Sequence, residues 1–424
     1  MQKKLFAKYF LIPFFLVVAS VVTFAPWKGK KNTLVCPAYR CQVHEKKDSL
    51  RISSLHGEAI ITEPVILDLL KTPVMERLKG INQGGVCHFA KLDLPPFNRY
   101  EHSLDVFLLL RKYGATLEEQ IAGLLHDASH TVFSHVGDFL FKHNSTKSSY
   151  QDNIHEWFLK EYGIQEVLAK HGYSIEDILH KSGDFPLLEQ DLPDLCADRI
   201  QYNYHTGYID GLITAEQVRQ GYKHLQYENG VWFFDNAEDA ARLARISLHE
   251  TVHYWGSAWN VLVYEWTSQA MRRAMHLGLV TTQEIHFGIQ DDEMWKRLVQ
   301  SDDPMIQYLM HRVQHYEEQF YMLSKAEFET LQHDTSVVCQ NIRFKNRGID
   351  PFVKTEDGLK RLSALDPLYA LEYAEVDAQA KKGFFIAFKK NEEKSETEQM
   401  LCAAAESLIH AQEGTIEKAI VRLT

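Results

Sequence analysis

Residues 124–138 read LLHDASHTVFSHVGD, and the fold turns on how this stretch is read. Five titratable side chains, His126, Asp127, His130, His135 and Asp138, are interleaved with Leu124, Leu125, Val132, Phe133 and Val136. An isolated buried charge is strongly unfavourable, so a chain that sets these groups among core residues must pair them or bind a cation between them. On a helix, His126 and His130 stand one turn apart and face the same way, with Asp127 beside His126. Two ligands alone make a weak site, so further ligands are expected from elsewhere in the chain. His102 in NRYEHSLDV, on the preceding helix, and Asp198 in CADRIQY, on a later one, fill that need. Two imidazoles and two carboxylates suit a hard-to-borderline divalent ion such as Mn, Fe, Mg or Zn, with positions left for water and a phosphate oxygen.

Outward from this stretch the apolar spacing is helical. PVILDLLKTPVMERLKGI predicts two short helices joined by a turn at Pro73, and NQGGVCHFAKLDLPPFNRY reads as a loop. A helix from Tyr100 to Tyr113 ends at Gly114, and the next begins near Leu117 and carries Leu124 and Leu125 into the motif. IHEWFLKEYGIQEVLAKHG and LPDLCADRIQYNYHTG continue the helical texture, and Ala240 to Leu277 predicts one long helix or two broken near Gly256. Beyond Asp334, SVVCQNIRFK and GFFIAFKK are rich in β-branched and aromatic residues and predict short strands. The expected fold is therefore mainly α, a helical core with a small α+β C-terminal appendage. Its expected divisions are 28–53 as a linker, 54–280 as the catalytic core and 281–424 as the C-terminal region.

At 424 residues the chain is long enough for one large core plus an appendage. A formal net charge of −11 argues against broad nucleic-acid binding, which needs a basic face. Residues 1–27 have a basic start and an apolar run from Phe10, the pattern of a signal peptide or membrane anchor, so the expectation is an exported or membrane-attached protein. Lysines flank the run on both sides, which leaves its orientation open. Six cysteines do not make a disulfide scaffold in a chain of this size. The aromatic face of HYWGSAWNVLVYEW fits core or a subunit interface, so a homo-oligomer is one expectation.

The ordered set QGG, NRYEHSLDV, LLHDASHTVFSHVGD, HE at 155–156 and ADRIQY resembles the HD-domain phosphohydrolase superfamily, in its deoxynucleoside-triphosphate triphosphohydrolase branch. The resemblance runs from about His56 to Gly207. It implies an HD-domain helical core, His102, His126, Asp127 and Asp198 as metal ligands, and a small phosphorylated substrate, a nucleotide first. It further implies His130, Asp138 and His155 around the attacked phosphorus, as proton donors or water-orienting groups. Arg99 and His135 match positions near the phosphates, and Arg199 and Tyr202 match a basic residue and a tyrosine at the substrate. Packing explains His135, His155 and Tyr202 nearly as well, and Arg199 equally suits a carboxylate partner.

The chain also departs from that branch. Gln201 stands where an aspartate is usual, and the arginine–aspartate pair that follows is missing before His205. Lys71, Glu76 and Lys79 replace the aspartate, glutamine and arginine with which relatives bind an activating nucleotide, so no such activation is expected. A phosphodiesterase or phosphomonoesterase acting on another phosphorylated compound therefore competes with the triphosphohydrolase reading, as does a nucleotide-binding regulatory module. HETVH at 249–253 fits the HExxH pattern of zinc peptidases, but Glu265, only twelve residues on, makes a poor third ligand, so the polar face of a core helix is the favoured reading.

Overall fold

A computed structural model describes residues 42–46, 49–90, 97–141, 149–179, 184–334 and 337–389. The apolar N-terminal run, Cys36, Cys41 and Cys402 lie outside these residues. Among the described residues no helix is long and apolar enough to cross a membrane.

Helices dominate, as the 3.6-residue spacing predicts. Pro64–Leu70 and Pro73–Leu78 are the expected pair of short helices, each with proline in its first turn, where a missing N–H does no harm. Arg99–Lys112 is capped by Asn98, whose side chain accepts from Glu101 N, and ends before Gly114 at φ +78°. The predicted 240–277 region is two helices, Ala237–Glu250 and Ala258–His276, separated by a wider π turn over Thr251–Trp255 and by Gly256.

The expected linker to Ser53 ends sooner. Strands β1 (Gln42–Lys46), β2 (Ser49–Ser54) and β3 (Gly57–Ile61) form an antiparallel sheet. Their strands are short and mostly polar, and the decisive apolar residues, Leu50, Ile52 and Ile61, are buried against helices far along the chain. A second hairpin, β4 (Leu225–Glu228) with β5 (Val231–Phe234), turns at Asn229 and Gly230, both with positive φ. This is the asparagine–glycine turn whose twist matches paired strands.

The C-terminal region contains the expected strands. β6 (Tyr321–Leu323), β7 (Val337–Ile342) and β10 (Phe384–Lys389) form one sheet in the order β6-β10-β7. β8 (Phe352–Thr355) and β9 (Gly358–Arg361) extend the earlier hairpin, with β8 parallel to β5. Ile349, Val353, Leu362 and Tyr369 thereby join the apolar cluster built by the first helices. A second cluster gathers Val132, Phe133 and Val136 with the Ala258–His276 and Pro304–Gln314 helices. The 124–138 stretch thus runs between the two cores.

Candidate metal centre

The helix that enters the motif, Leu117–Leu125, stops at Leu125, and His126 is its C-cap. The expectation that His126 and His130 share one helix face is not met. From His126 to His135 the backbone passes through tight turns, with Ala128 N bonded to Leu125 O and His130 N to Asp127 O. Buried Arg77 holds the unwound segment by donating to the carbonyls of Ala128 at 3.5 Å and His130 at 2.6 Å. A guanidinium that satisfies carbonyls freed at a helix end removes the reason to continue the helix.

Past the turn, Phe133 and Ser134 both take left-handed backbone, φ +60° and +53°. Buried Asp291 stabilises this arrangement by accepting from Phe133 N at 2.7 Å and from Asn82 N at 2.8 Å. Burial raises the Asp291 carboxyl to about 6 against these bonds. Gly85, at φ +54°, passes so close that a Cβ there would lie 2.4 Å from Phe133 O.

Four side chains from three elements meet above the unwound segment. His102 Nε2 lies 3.1 Å from His126 Nε2 and 3.0 Å from Asp198 Oδ1. His126 Nε2 lies 3.6 Å from both Asp198 Oδ1 and Asp127 Oδ1. His102 Nδ1 donates to Gln201 Oε1 at 2.5 Å and His126 Nδ1 to Gly123 O at 2.7 Å, so both Nε2 atoms point at the shared space, where burial is outweighed by Asp127 and Asp198, which raise the His126 pKa to about 9. Two imidazole nitrogens beside two carboxylates hold a positive charge there, a proton on His126 or a divalent ion in its place, and the donor set fits the ion. His102, His126 and Asp127 form a metal-competent group, and Asp198 forms another with Glu189 and Cys196. Although burial opposes ionisation, Arg99, His126 and His130 hold the Asp127 carboxyl well below its ordinary value, and His102 and His126 do the same for Asp198.

A buried chain of bonds fixes His102. Gln201 Nε2 donates to Asp105 Oδ2 at 2.9 Å, and His56 Nε2 pairs with Asp105 Oδ1 at 2.8 Å. Asp105, held ionised by His56 and Gln201 against its burial, can only accept. The Gln201 amide must therefore turn its NH2 to Asp105 and its oxygen to His102, which selects the Nδ1–H tautomer of the ring. Sequence reading missed Asp105, His56, Arg77 and Asp291; Asp105 in EHSLDV, one turn from His102, was the available signal.

The remaining expected residues fall at different distances from this point. Arg99 is fully buried and bonded to Asp127 Oδ2 at 2.5 Å and Ser134 Oγ at 2.8 Å, so it braces the carboxylate from below. His130 Nε2 lies 3.2 Å from Asp127 Oδ1, and burial together with Arg99 lowers its pKa to about 3, which keeps the ring neutral. His155 Nδ1 meets Ser129 Oγ at 2.9 Å. That hydroxyl spends its proton on Gln151 O, so His155 donates from Nδ1 and keeps a lone pair on Nε2; burial and His126 lower its pKa to about 4. His135 Nδ1 donates to Asp138 Oδ2 at 3.1 Å, and Asp138 Oδ1 accepts from Tyr150 N at 2.6 Å. Arg199 is paired with Glu189 at 2.9 Å and with the carbonyls of Gln190 and Asp194, the carboxylate pairing that sequence reading allowed. Tyr202 packs edge-on against Trp255, its ring 5.2 Å away.

The HExxH residues do not form a comparable centre. The His249 and His253 rings lie 4.4 Å apart, but His253 sits in the π turn and Glu250 is fully buried. Among the described residues no group of three metal-competent side chains includes them.

Comparison with known proteins agrees with this geometry. Residues 99–195 match the HD domain family. The uncharacterized protein YdhJ of Bacillus subtilis is 37% identical over 221 residues, 52% of this chain and 67% of that protein. The metal-dependent phosphohydrolase cns2 of Cordyceps militaris is 32% identical over 256 residues, 59% of this chain and 73% of that protein. The deoxynucleoside triphosphate triphosphohydrolase SAMHD1 of Xenopus laevis is 28% identical over 173 residues, which span 35% of this chain and only 26% of that protein. A phosphohydrolase from Bacteroides thetaiotaomicron shares the fold, with a TM-score of 0.58 at 14% identity over 82% of this chain and all of that one. A hypothetical protein from Aquifex aeolicus does so over 87% of this chain and 99% of that one, again with a TM-score of 0.58, at 16% identity. With its histidines and carboxylates gathered at one point and these relatives around it, the chain belongs to the HD-domain family of metal-dependent phosphohydrolases.

Proposed function

We propose that this phosphohydrolase acts on nucleotides, with a deoxynucleoside triphosphate as the leading substrate, and that His102, His126, Asp127 and Asp198 hold its ion. The observation that carries the reading is the meeting of the two Nε2 atoms, 3.1 Å apart, beside both carboxylates. When bound, a divalent ion supplies Lewis acidity toward a phosphoryl oxygen and a water. The chain's own residues do the rest. Arg99 and His130 fix the direction of Asp127. His155, neutral and with a lone pair on Nε2, accepts a hydrogen bond from the attacking water and so orients it. His135, oriented by Asp138, keeps Nε2 for the phosphate, and its ring stands 5.0 Å from that of His130.

The SAMHD1 relatives support the nucleotide reading, though the match covers only about a quarter of their length. One observation favours a second reading, a phosphomonoesterase or phosphodiesterase on another phosphorylated compound. Gln201 has both ends of its amide committed to His102 and Asp105, so it offers nothing to a sugar. The test incubates the full chain with Mn, Fe, Mg or Zn and a panel of dNTPs, NTPs, mononucleotides, cyclic dinucleotides and a generic phosphodiester, beside Asp127→Ala. Triphosphate released from a dNTP and lost in the variant is the expected result. Orthophosphate or monoester products select the second reading, and no turnover of any nucleotide refutes the first.

A further inference from the structure

The segment Arg343-Phe344-Lys345-Asn346-Arg347 leaves β7 and crosses the π turn after the Ala237–Glu250 helix. Phe344 anchors it, stacked 5.3 Å from Phe384 and so close to Gly256 that a Cβ there would meet its ring at 2.3 Å. Ser247 Oγ donates to Arg347 O at 3.0 Å and fixes the far end. Three cations alternate with these anchored residues. Among the described residues neither Lys345 nor Arg347 has a side-chain hydrogen bond or an ion pair.

Geometry places the segment beside the metal centre: Trp255, next to the Gly256 on which Phe344 lies, packs 5.2 Å from Tyr202, and Asp198 stands one turn earlier on the same helix. Lys345 lies within electrostatic reach of Arg347, Arg199, Glu189 and Asp152, and burial with these cations lowers its pKa. Arg347 is within the same reach of Tyr202 and opposes the rise that burial gives its hydroxyl. Glu189 and Tyr202 both feel Asp198, and Asp152 acts on His155. The segment therefore borders the centre on its Asp198 side and its His155 side. Of the two carboxylates in reach, Glu189 is already paired with Arg199, so Lys345, Arg347 and Arg199 outnumber the carboxylates that face them, and in a chain of net charge −11 a bound polyanion is the group that would offset the excess. A small polyphosphate fits a patch of this extent, whereas a nucleic acid needs a broad basic face.

We propose that Lys345 and Arg347 bind the outer phosphates of a polyphosphorylated substrate whose scissile phosphorus sits at the metal centre. This rests on the nucleotide reading and narrows it to substrates with two or more linked phosphates. Each cation contributes charge-assisted bonds to phosphate oxygens that a monophosphate cannot reach.

The test titrates inorganic tripolyphosphate and orthophosphate, in Mg2+ buffer, into the full-length protein and its Lys345→Ala, Arg347→Ala and Lys345→Arg variants by calorimetry. Tripolyphosphate affinity is expected to fall about tenfold in either alanine variant and to recover in Lys345→Arg, with orthophosphate affinity moving less than about twofold. Unchanged tripolyphosphate binding in both alanine variants, or an equal loss for both probes, overturns the inference. The underlying reading fails separately: a protein that cleaves no nucleotide yet shows the Lys345-dependent preference keeps this site and loses the nucleotide assignment. A protein that cleaves a dNTP with unchanged KM in both alanine variants loses this site alone.

Discussion

Replacing Gln201 with leucine tests whether the buried chain from His56 to His102 sets the metal centre. Leucine has nearly the same bulk but leaves the His102 Nδ1–H without its 2.5 Å acceptor and Asp105 Oδ2 without its 2.9 Å donor, both at fully buried positions. Orphaning buried polar groups costs about 1–3 kcal/mol of stability. Loss of the partner that orients a ligating histidine weakens metal binding by about 10- to 100-fold, or about 1.4–2.8 kcal/mol. A rescue separates orientation from simple packing damage. Gln201→Glu alone puts two buried carboxylates 2.9 Å apart and should also bind metal poorly. Adding Asp105→Asn reverses the polarity of that one bond while keeping every other: the introduced glutamate accepts from His102 and from the NH2 of the introduced asparagine, whose amide oxygen accepts from His56. The double variant should recover most of the affinity. The assay is calorimetric titration with Mn2+ at pH 7. Binding by Gln201→Leu within twofold of wild type, or a double variant no better than Gln201→Glu, would refute the reasoning.

Three further outcomes follow from the geometry. His126→Ala should lower the hydrolytic rate by roughly a hundredfold or more, whereas His249→Ala, from the HExxH stretch, should stay within about twofold; the reverse order would revive a peptidase-like centre. His286 is buried, bonded to Tyr150 OH at 2.8 Å, and burial together with Arg77 holds its pKa near about 4 against about 6.5 in an unfolded chain. Its neutral form therefore contributes stability above pH 6.5 that is lost as pH falls through 4, roughly 3 kcal/mol in all. Urea midpoints should accordingly fall less steeply over that range in His286→Phe than in wild type, and equal slopes would contradict the assignment. Gly85→Ala should destabilise by more than about 2 kcal/mol, because φ is +54° and the new Cβ meets Phe133 O at 2.4 Å. Gly84→Ala, with open space around its Cβ, is the control, and matching melting temperatures in the two variants would sink the argument.

Local sequence carried the parts of this protein that depend on near neighbours. Apolar spacing located the helices, Gly114 and the Gly256 region marked their ends, and β-branched runs located β7 and β10. The Asn229–Gly230 turn was equally legible, flanked by LQYE and VWFF. β1 and β2 were harder, since a short polar strand shows its apolar face only once a helix covers it.

The residue types at the centre were legible because His102, His126, Asp127 and Asp198 stand in an ordered series that chance does not readily produce. Their geometry was not. The helix expected through His130 unwinds because Arg77, some fifty residues upstream, satisfies the carbonyls of Ala128 and His130. Arg199 turns to Glu189, and Gln201 becomes the link between His102 and an aspartate, because buried donors and acceptors must find partners wherever the fold brings them. Residues 343–347 come from beyond β7 to the turn whose Trp255 packs on Tyr202, in the helix that carries Asp198. Sequence by itself determined which groups could bind a cation and which segments would coil into helices. Tertiary structure alone decided which partners orient His102, because the bonds that run from it through Gln201 and Asp105 to His56 join residues 49 to 99 positions apart, for which local spacing holds no signal.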